Sequence, residues 1–140
     1  MQNKTSKYAS VAVIAADAAM SGLHPVKAWE SAAFKIFPDS EANRKKGCPK
    51  SAFLGLAEAG QILGILPGTY TRSEDNKRYA LAALKLLLHD ESYAANPKRL
   101  WLRVMELEGV EKIHNCQMDV VTSLWHAQKF VCQSQGSKRA

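Results

Sequence analysis

Ser73-Glu74-Asp75-Asn76-Lys77-Arg78-Tyr79-Ala80-Leu81-Ala82-Ala83-Leu84-Lys85-Leu86-Leu87-Leu88 is the stretch on which the reading of the fold turns. Ser73 is a good N-cap residue, and Glu74 and Asp75 stand in the first turn, where a helix favours negative charge. Ala80, Ala83, Leu84 and Leu87 then recur at helical spacing and form one apolar stripe. Leu81, Leu86 and Leu88 widen that stripe. A helix apolar over so much of its circumference is expected to lie centrally, with neighbours on several sides.

The same punctuation recurs on both sides of this stretch. From Lys7 to about Met20, Tyr8, Val11, Ala15 and Ala18 keep helical spacing, and Gly22 is placed to end that helix. Pro25, Pro49 and Pro97 each open a helix, because the first turn has no intrahelical use for an N–H. The first of these carries Val26, Trp29, Ala33 and Phe37 and stops at Pro38. The second carries Phe53, Leu56, Ala57 and Leu63. The third, capped by Asn96, carries Leu100, Trp101, Val104 and Leu107 and ends at Gly109. A last helix follows Asn115, read as its cap, with Met118, Val121, Leu124 and Trp125. All three tryptophans fall on apolar stripes and read as core.

No segment alternates with the two-residue period of a strand, although short extended pieces fit Gly64 to Arg72 and Phe130 to Gln133. The polar, basic segment from Pro38 to Cys48 reads as a loop. The expectation is an all-α protein: one irregular bundle of about six helices over residues 1–132, with a polar flexible tail at 133–140. One internal echo stands out. Gly55-Leu56-Ala57-Glu58-Ala59-Gly60-Gln61-Ile62 resembles Ser123-Leu124-Trp125-His126-Ala127-Gln128-Lys129-Phe130 in polarity. Each is a helix end followed by a short apolar run, a shape that also fits a helix-turn-helix-like subunit.

Composition narrows the class but not the chemistry. A chain of 140 residues, 46% hydrophobic and 23% charged, is an ordinary soluble domain. At that length folding buries about two-thirds of the unfolded surface, so neither metal nor disulfide is required. Cys48, Cys116 and Cys132 are too few, and odd in number, for a disulfide framework; they read as reduced thiols of a cytoplasmic protein. Lys4 and Lys7 before the Ala9–Ala16 run faintly resemble a signal peptide, but Asp17 interrupts and the run continues into a helix. No stretch approaches the ~20 apolar residues of a membrane span. No cofactor is implied.

Two stretches carry a resemblance. The first is Lys45-Lys46-Gly47-Cys48-Pro49-Lys50-Ser51-Ala52-Phe53-Leu54-Gly55-Leu56. The second is His114-Asn115-Cys116-Gln117-Met118-Asp119-Val120-Val121, followed by Leu124-Trp125. With Pro67-Gly68-Thr69-Tyr70-Thr71 between them, they resemble a family of small bacterial proteins of unknown function. The likeness spans about Tyr8 to Phe130. It implies a bacterial or phage origin and brings no activity, cofactor or catalytic residue.

Four clusters are candidate sites. Arg44, Lys45, Lys46 and Lys50 surround Gly47-Cys48-Pro49 at a helix start, where free N–H groups favour anions; the spacing is not that of a Walker A loop. Equally, they read as a solvated basic loop. Cys48, beside lysines at a helix N-terminus, reads either as an activated thiol with His114 as its base or as a small capping residue. His114, Asn115, Gln117 and Asp119 read either as a polar pocket or as local capping with a buried hydrogen-bond network. A zinc site from His114, Cys116, Cys48 and His126 lacks the paired spacing such sites show, so no metal is assigned. Finally, Tyr70, Arg72, Lys77 and Arg78 interleave aromatic and basic groups, with Lys98, Arg99 and Arg103 as a further basic face.

The net charge of +6 favours polyanionic partners. The leading expectation is a non-enzymatic binding module that meets a protein or nucleic acid through a basic face built from Lys45, Lys46, Lys50, Arg72, Lys77 and Arg78. The alternative is a small enzyme whose pocket gathers Cys48, His114, Gln117 and Asp119. A homo-oligomeric structural protein is a third class.

Overall fold

Capping chemistry sets most of the helix boundaries. A computed structural model describes residues 6–133. Within them lie α1 (Lys7–Met20), α2 (Pro25–Ile36), α3 (Glu41–Arg44), α4 (Gly47–Glu58), α5 (Glu74–His89), α6 (Pro97–Glu108) and α7 (Gln117–His126), with a 3-10 turn at Glu91–Ala95. Ser73 Oγ accepts the Asn76 N–H at 3.3 Å, and Asn96 Oδ1 accepts the Arg99 N–H at 3.1 Å. Pro25 and Pro97 occupy the first turns of α2 and α6. Pro49 stands in the first turn of α4, which begins two residues earlier. Gly109 ends α6 in the left-handed conformation at φ 70°.

The core is one cluster, and α7 is its axle. α7 packs against α1, α4, α5, α6 and the 3-10 turn. It buries Gln117, Met118, Val120, Val121, Thr122 and Leu124, which cover somewhat more than half of its circumference. α1 packs on α2, and Trp29 of α2 meets Phe53 of α4 with ring centroids 5.4 Å apart. Trp101 meets Tyr79 edge-on at 5.6 Å where α6 packs on α5.

The close crossing of α4 and α5 depends on a glycine. A Cβ at Gly55 would fall 2.7 Å from Lys77 Cα. Beside it, the Glu58 carboxylate joins both helices to the connector between them. Oε1 accepts the Tyr70 and Thr71 N–H groups at 2.8 and 3.1 Å, and Oε2 accepts Lys77 Nζ at 2.8 Å. These bonds to the ionised form hold its pKa at about 2, the Lys77 bond contributing most.

The internal echo is a matched pair of helix exits. The Gln61 N–H returns to Leu56 O at 3.0 Å, and the Lys129 N–H returns to Leu124 O at 2.9 Å. Gly60 (φ 75°) and Gln128 (φ 58°) occupy the same left-handed position. Ile62 and Phe130 then pair as an isolated antiparallel bridge, with Leu63 N–H to Lys129 O at 2.8 Å and Val131 N–H to Gln61 O at 2.9 Å. The two segments are therefore related by a local two-fold. Phe130 is the one extended residue of its expected piece, and Gly64 to Arg72 is irregular connector without strand pairing.

Several expectations need correction. The Pro38 to Cys48 segment is not all loop: Ser40 caps the single turn α3, and Arg44 folds back to donate to Phe37 O and Pro38 O, both at 2.9 Å. Leu63 lies beyond α4, which stops at Glu58. Asn115 does not cap α7. Cys116 turns left-handed at φ 69°, and this brings the His114 ring back so that Nε2 accepts the Met118 N–H at 3.0 Å. Leu88 is 54% exposed, so the broad apolar girth of α5 is not closed by neighbours on every side, and Leu107, expected on the apolar stripe of α6, is 52% exposed. Gln133 is tied down, its amide donating to Trp125 O at 2.8 Å; residues 134–140 of the expected tail lie outside the described residues.

Gly55→Ala should separate α4 from α5 and cost about 1–3 kcal/mol in chemical denaturation, an overpacking penalty. Glu58 has a folded pKa depressed below its unfolded 4.5, so its contribution is complete above that value and is lost as pH falls toward about 2. Glu58→Gln should therefore unfold at lower denaturant than the wild type at neutral pH, by about 1–3 kcal/mol, with the gap closing in acid.

Candidate functional site

The starts of three helices open onto one cavity of about 360 Å³. Cys48 comes from α4, Ser73 and Asn76 from the start of α5, and Asn115 and Gln117 from the start of α7. The structure thus brings Cys48, Asn115 and Gln117 together. Gln117 is buried and satisfied at both ends: Oε1 accepts the Asn115 N–H at 2.7 Å, and Nε2 donates to Asn76 Oδ1 at 3.1 Å. Asn76 Nδ2 in turn donates to Ser73 Oγ at 3.0 Å. The result is a hydrogen-bond chain that fastens α7 to α5 and engages both ends of the Gln117 amide.

His114 and Asp119 turn elsewhere. The His114 ring packs against Trp101 at 5.2 Å in a tilted arrangement, and its Nε2 lone pair is occupied by the Met118 N–H. The neutral ring therefore carries its proton on Nδ1, and Nε2 cannot serve as a base toward Cys48. Burial pushes the His114 pKa below its usual value; Asp119 opposes this, while Lys46 and Lys98 add to it. Cys116, on the other side of the turn, has its thiol pKa raised, chiefly by burial. His126 Nε2 sits 2.9 Å from Ala94 O. Among the described residues, no three His, Cys, Asp or Glu side chains are grouped to hold a metal ion.

The cations named from sequence are mostly paired within the fold. Lys45 pairs with Glu41 at 2.7 Å, Lys50 with Glu30 at 3.7 Å, and Lys77 with Glu58. Arg78 meets Glu108 at 2.8 Å and Asp75 at 3.1 Å. Arg99 pairs with Asp90 and Arg103 with Glu106. Lys46 lies over the Tyr8 ring. The Tyr70 hydroxyl donates to Leu66 O at 2.6 Å, which turns the ring back onto its own loop. Only Arg72 and Lys98 among these are exposed with no ion pair to a described residue. The groups also divide between surfaces: Lys45 and Lys50 share a hollow with Phe34 and Arg44, while Arg78 borders α6.

Sequence reading singled out a basic face on α6, through Lys98, Arg99 and Arg103, but not the exposed apolar one. Leu102 is 62% exposed, and Ile113, in the following loop, is 82% exposed. Between them runs an open groove of about 980 Å³ floored by Trp101 and Met105. On the opposite flank of α6, a second groove of about 560 Å³ separates it from α5, with Leu81, Leu86 and Leu107 along it and Lys85, His89 and Arg103 on its rim. Leu81 and Leu86, the excess over one buried stripe on α5, are the sequence signal for the second groove. Contiguous exposed apolar side chains flanking a helix are a recognised mark of protein contact surfaces.

The sequence matches a family of unknown function, DUF6979, over residues 5–131, and the chain belongs to that family. No curated protein matches the chain, and no solved structure does. Among the described residues, no helix is long and apolar enough to cross a membrane.

His114 has a folded pKa below its unfolded 6.5, so the fold favours the neutral ring. Its contribution is present above that value and is lost as pH falls through it and below. Thermal stability should fall between about pH 7 and about pH 5. His114→Asn should flatten that fall; an unchanged profile would mean that other groups govern it.

Proposed function

We propose that this member of a family of unknown function is a non-enzymatic, cytoplasmic protein-binding module. Its contact surface is the outward face of α6, with the loop that follows it. One observation carries this reading: Leu102, Leu107 and Ile113 are large apolar side chains left more than half exposed beside two grooves. Burying each of them would contribute about 1.5–3 kcal/mol, enough for three to anchor a partner.

Two further features favour a protein over the alternatives. Most of the cations proposed for a nucleic-acid face already have carboxylate partners in the fold, which reduces the charge available to replace counterions on a polyanion. In the pocket around Cys48, Gln117 and Asn76 are bonded to each other, and the ring nitrogen of His114 proposed as a base is occupied, which disfavours nucleophilic catalysis there.

The test is capture from a lysate of the source organism on immobilised protein, comparing wild type with Leu102→Asp/Leu107→Asp. Both positions are exposed, so the variant should keep the wild-type Tm. The expected result is a discrete protein retained by the wild type and lost by the variant. Retention of nucleic acid that is unaffected by the variant and abolished by salt would instead favour the basic-face reading.

A further inference from the structure

The groove between α5 and α6 differs in chemistry from the one on the other side of α6, and the difference points to its occupant. Its floor is aliphatic: Leu81 and Leu86 are half-buried, and Leu107 is exposed. Its rim carries Arg78, Lys85 and Arg103, with His89 beside them; Glu108 is the carboxylate in the lining, and Arg78 is also met by Asp75. Glu108 is already bonded to Arg78 Nε at 2.8 Å. Lys85 is exposed and makes no ion pair with a described residue. Arg103 pairs with Glu106, one turn along the same exposed surface, a contact that is readily exchanged, and it lies beside the Tyr93 hydroxyl.

An apolar floor between cationic walls is complementary to one kind of segment: an amphipathic helix with an aliphatic stripe and flanking carboxylates. We propose that this groove receives an acidic amphipathic helix of a partner protein, an inference that rests on the protein-binding reading above and specifies its partner. The leucines of the incoming helix cover Leu81, Leu86 and Leu107. Its carboxylates meet Lys85 and Arg103, the latter leaving Glu106. Nothing along the floor is aromatic, so a nucleic-acid strand would find cations there but no ring on which to stack its bases.

The probes are two synthetic helical peptides with leucines at i, i+3 or i+4, and i+7, one flanked by glutamates and the other by lysines. Binding is followed by backbone amide shifts of the full chain. The glutamate peptide should bind, with shifts centred on Lys85, His89 and Leu107, and the affinity should fall as salt rises. The lysine twin should not bind. Lys85→Glu/Arg103→Glu should reverse that preference, and since both positions are exposed its Tm should stay near that of the wild type.

Equal binding of both peptides, no binding of either, or shifts centred on Leu102 and Ile113 would each overturn the inference. So would a single-stranded oligonucleotide that reproduces the α5–α6 shifts. A wild-type chain that captures a protein through Leu102 and Leu107 while ignoring the glutamate peptide would leave the protein-binding reading standing and reject the acidic helix. Loss of capture altogether would reject the wider reading first.

Discussion

The Glu58 carboxylate is the junction on which the arrangement of α4 and α5 depends. It sits at the end of α4, accepts two N–H groups from the connector and pairs with Lys77 on α5. A carboxylate this well supplied with donors compensates much of the desolvation it suffers, which is why it stays ionised far below the ordinary carboxylate range. The Gly55 contact allows the two backbones to approach closely enough for Lys77 to reach it. With that crossing in place, the start of α5 stands beside the start of α7, and Gln117 can bridge to Asn76. The same placement leaves the far side of α5 facing α6 across an open groove. The satisfied polar pocket and the unsatisfied apolar groove are thus two sides of one helix placement.

The helices were legible in the sequence because their termini are chemical events. Pro25, Pro97, Ser73, Asn96 and Gly109 act locally, through a missing N–H, a side-chain acceptor or a left-handed turn, and a local cause can be read locally. Where reading failed, the cause was less usual or not local. His24 and His114 both cap helices through a ring nitrogen, a task more often given to Ser, Thr, Asn or Asp. Cys116 adopts a conformation that favours glycine, and nothing in its neighbours announces it. Arg44 folds a nominal loop by donating to carbonyls six and seven residues away.

Function was less legible than fold for a related reason. Counting lysines and arginines yields a surplus of positive charge, but the count does not reveal which carboxylates meet them. Glu30, Glu41, Glu58 and Glu108 lie at distances along the chain from 4 to 30 residues from their partners. Hydrophobic periodicity has the mirror-image limit. It identifies the residues that seek cover, and Leu81, Leu86 and Leu107 qualify, but it cannot say whether the cover comes from this chain or another. The polar cluster at His114 was read as one unit from its four consecutive-looking members; the turn at Cys116 divides it, sending His114 to Trp101, Gln117 to Asn76 and Asp119 toward the thiol.

The position of α7 in the chain has a consequence for the order of assembly. The α1–α2 and α4–α5 pairs can close by contacts between neighbours in sequence. Each nevertheless keeps an apolar flank that only α7 covers, and α7 comes after all of them. As the polypeptide is made from its N-terminus, the early pairs must wait with those flanks open until Gln117–His126 has been synthesised, and the Ile62–Phe130 bridge closes later still. Contacts that span so much of the chain slow folding and make it cooperative. The nascent protein can therefore gather its early helices, with the Trp29–Phe53 and Tyr79–Trp101 contacts among them, while the flanks that α7 covers stay open until it arrives.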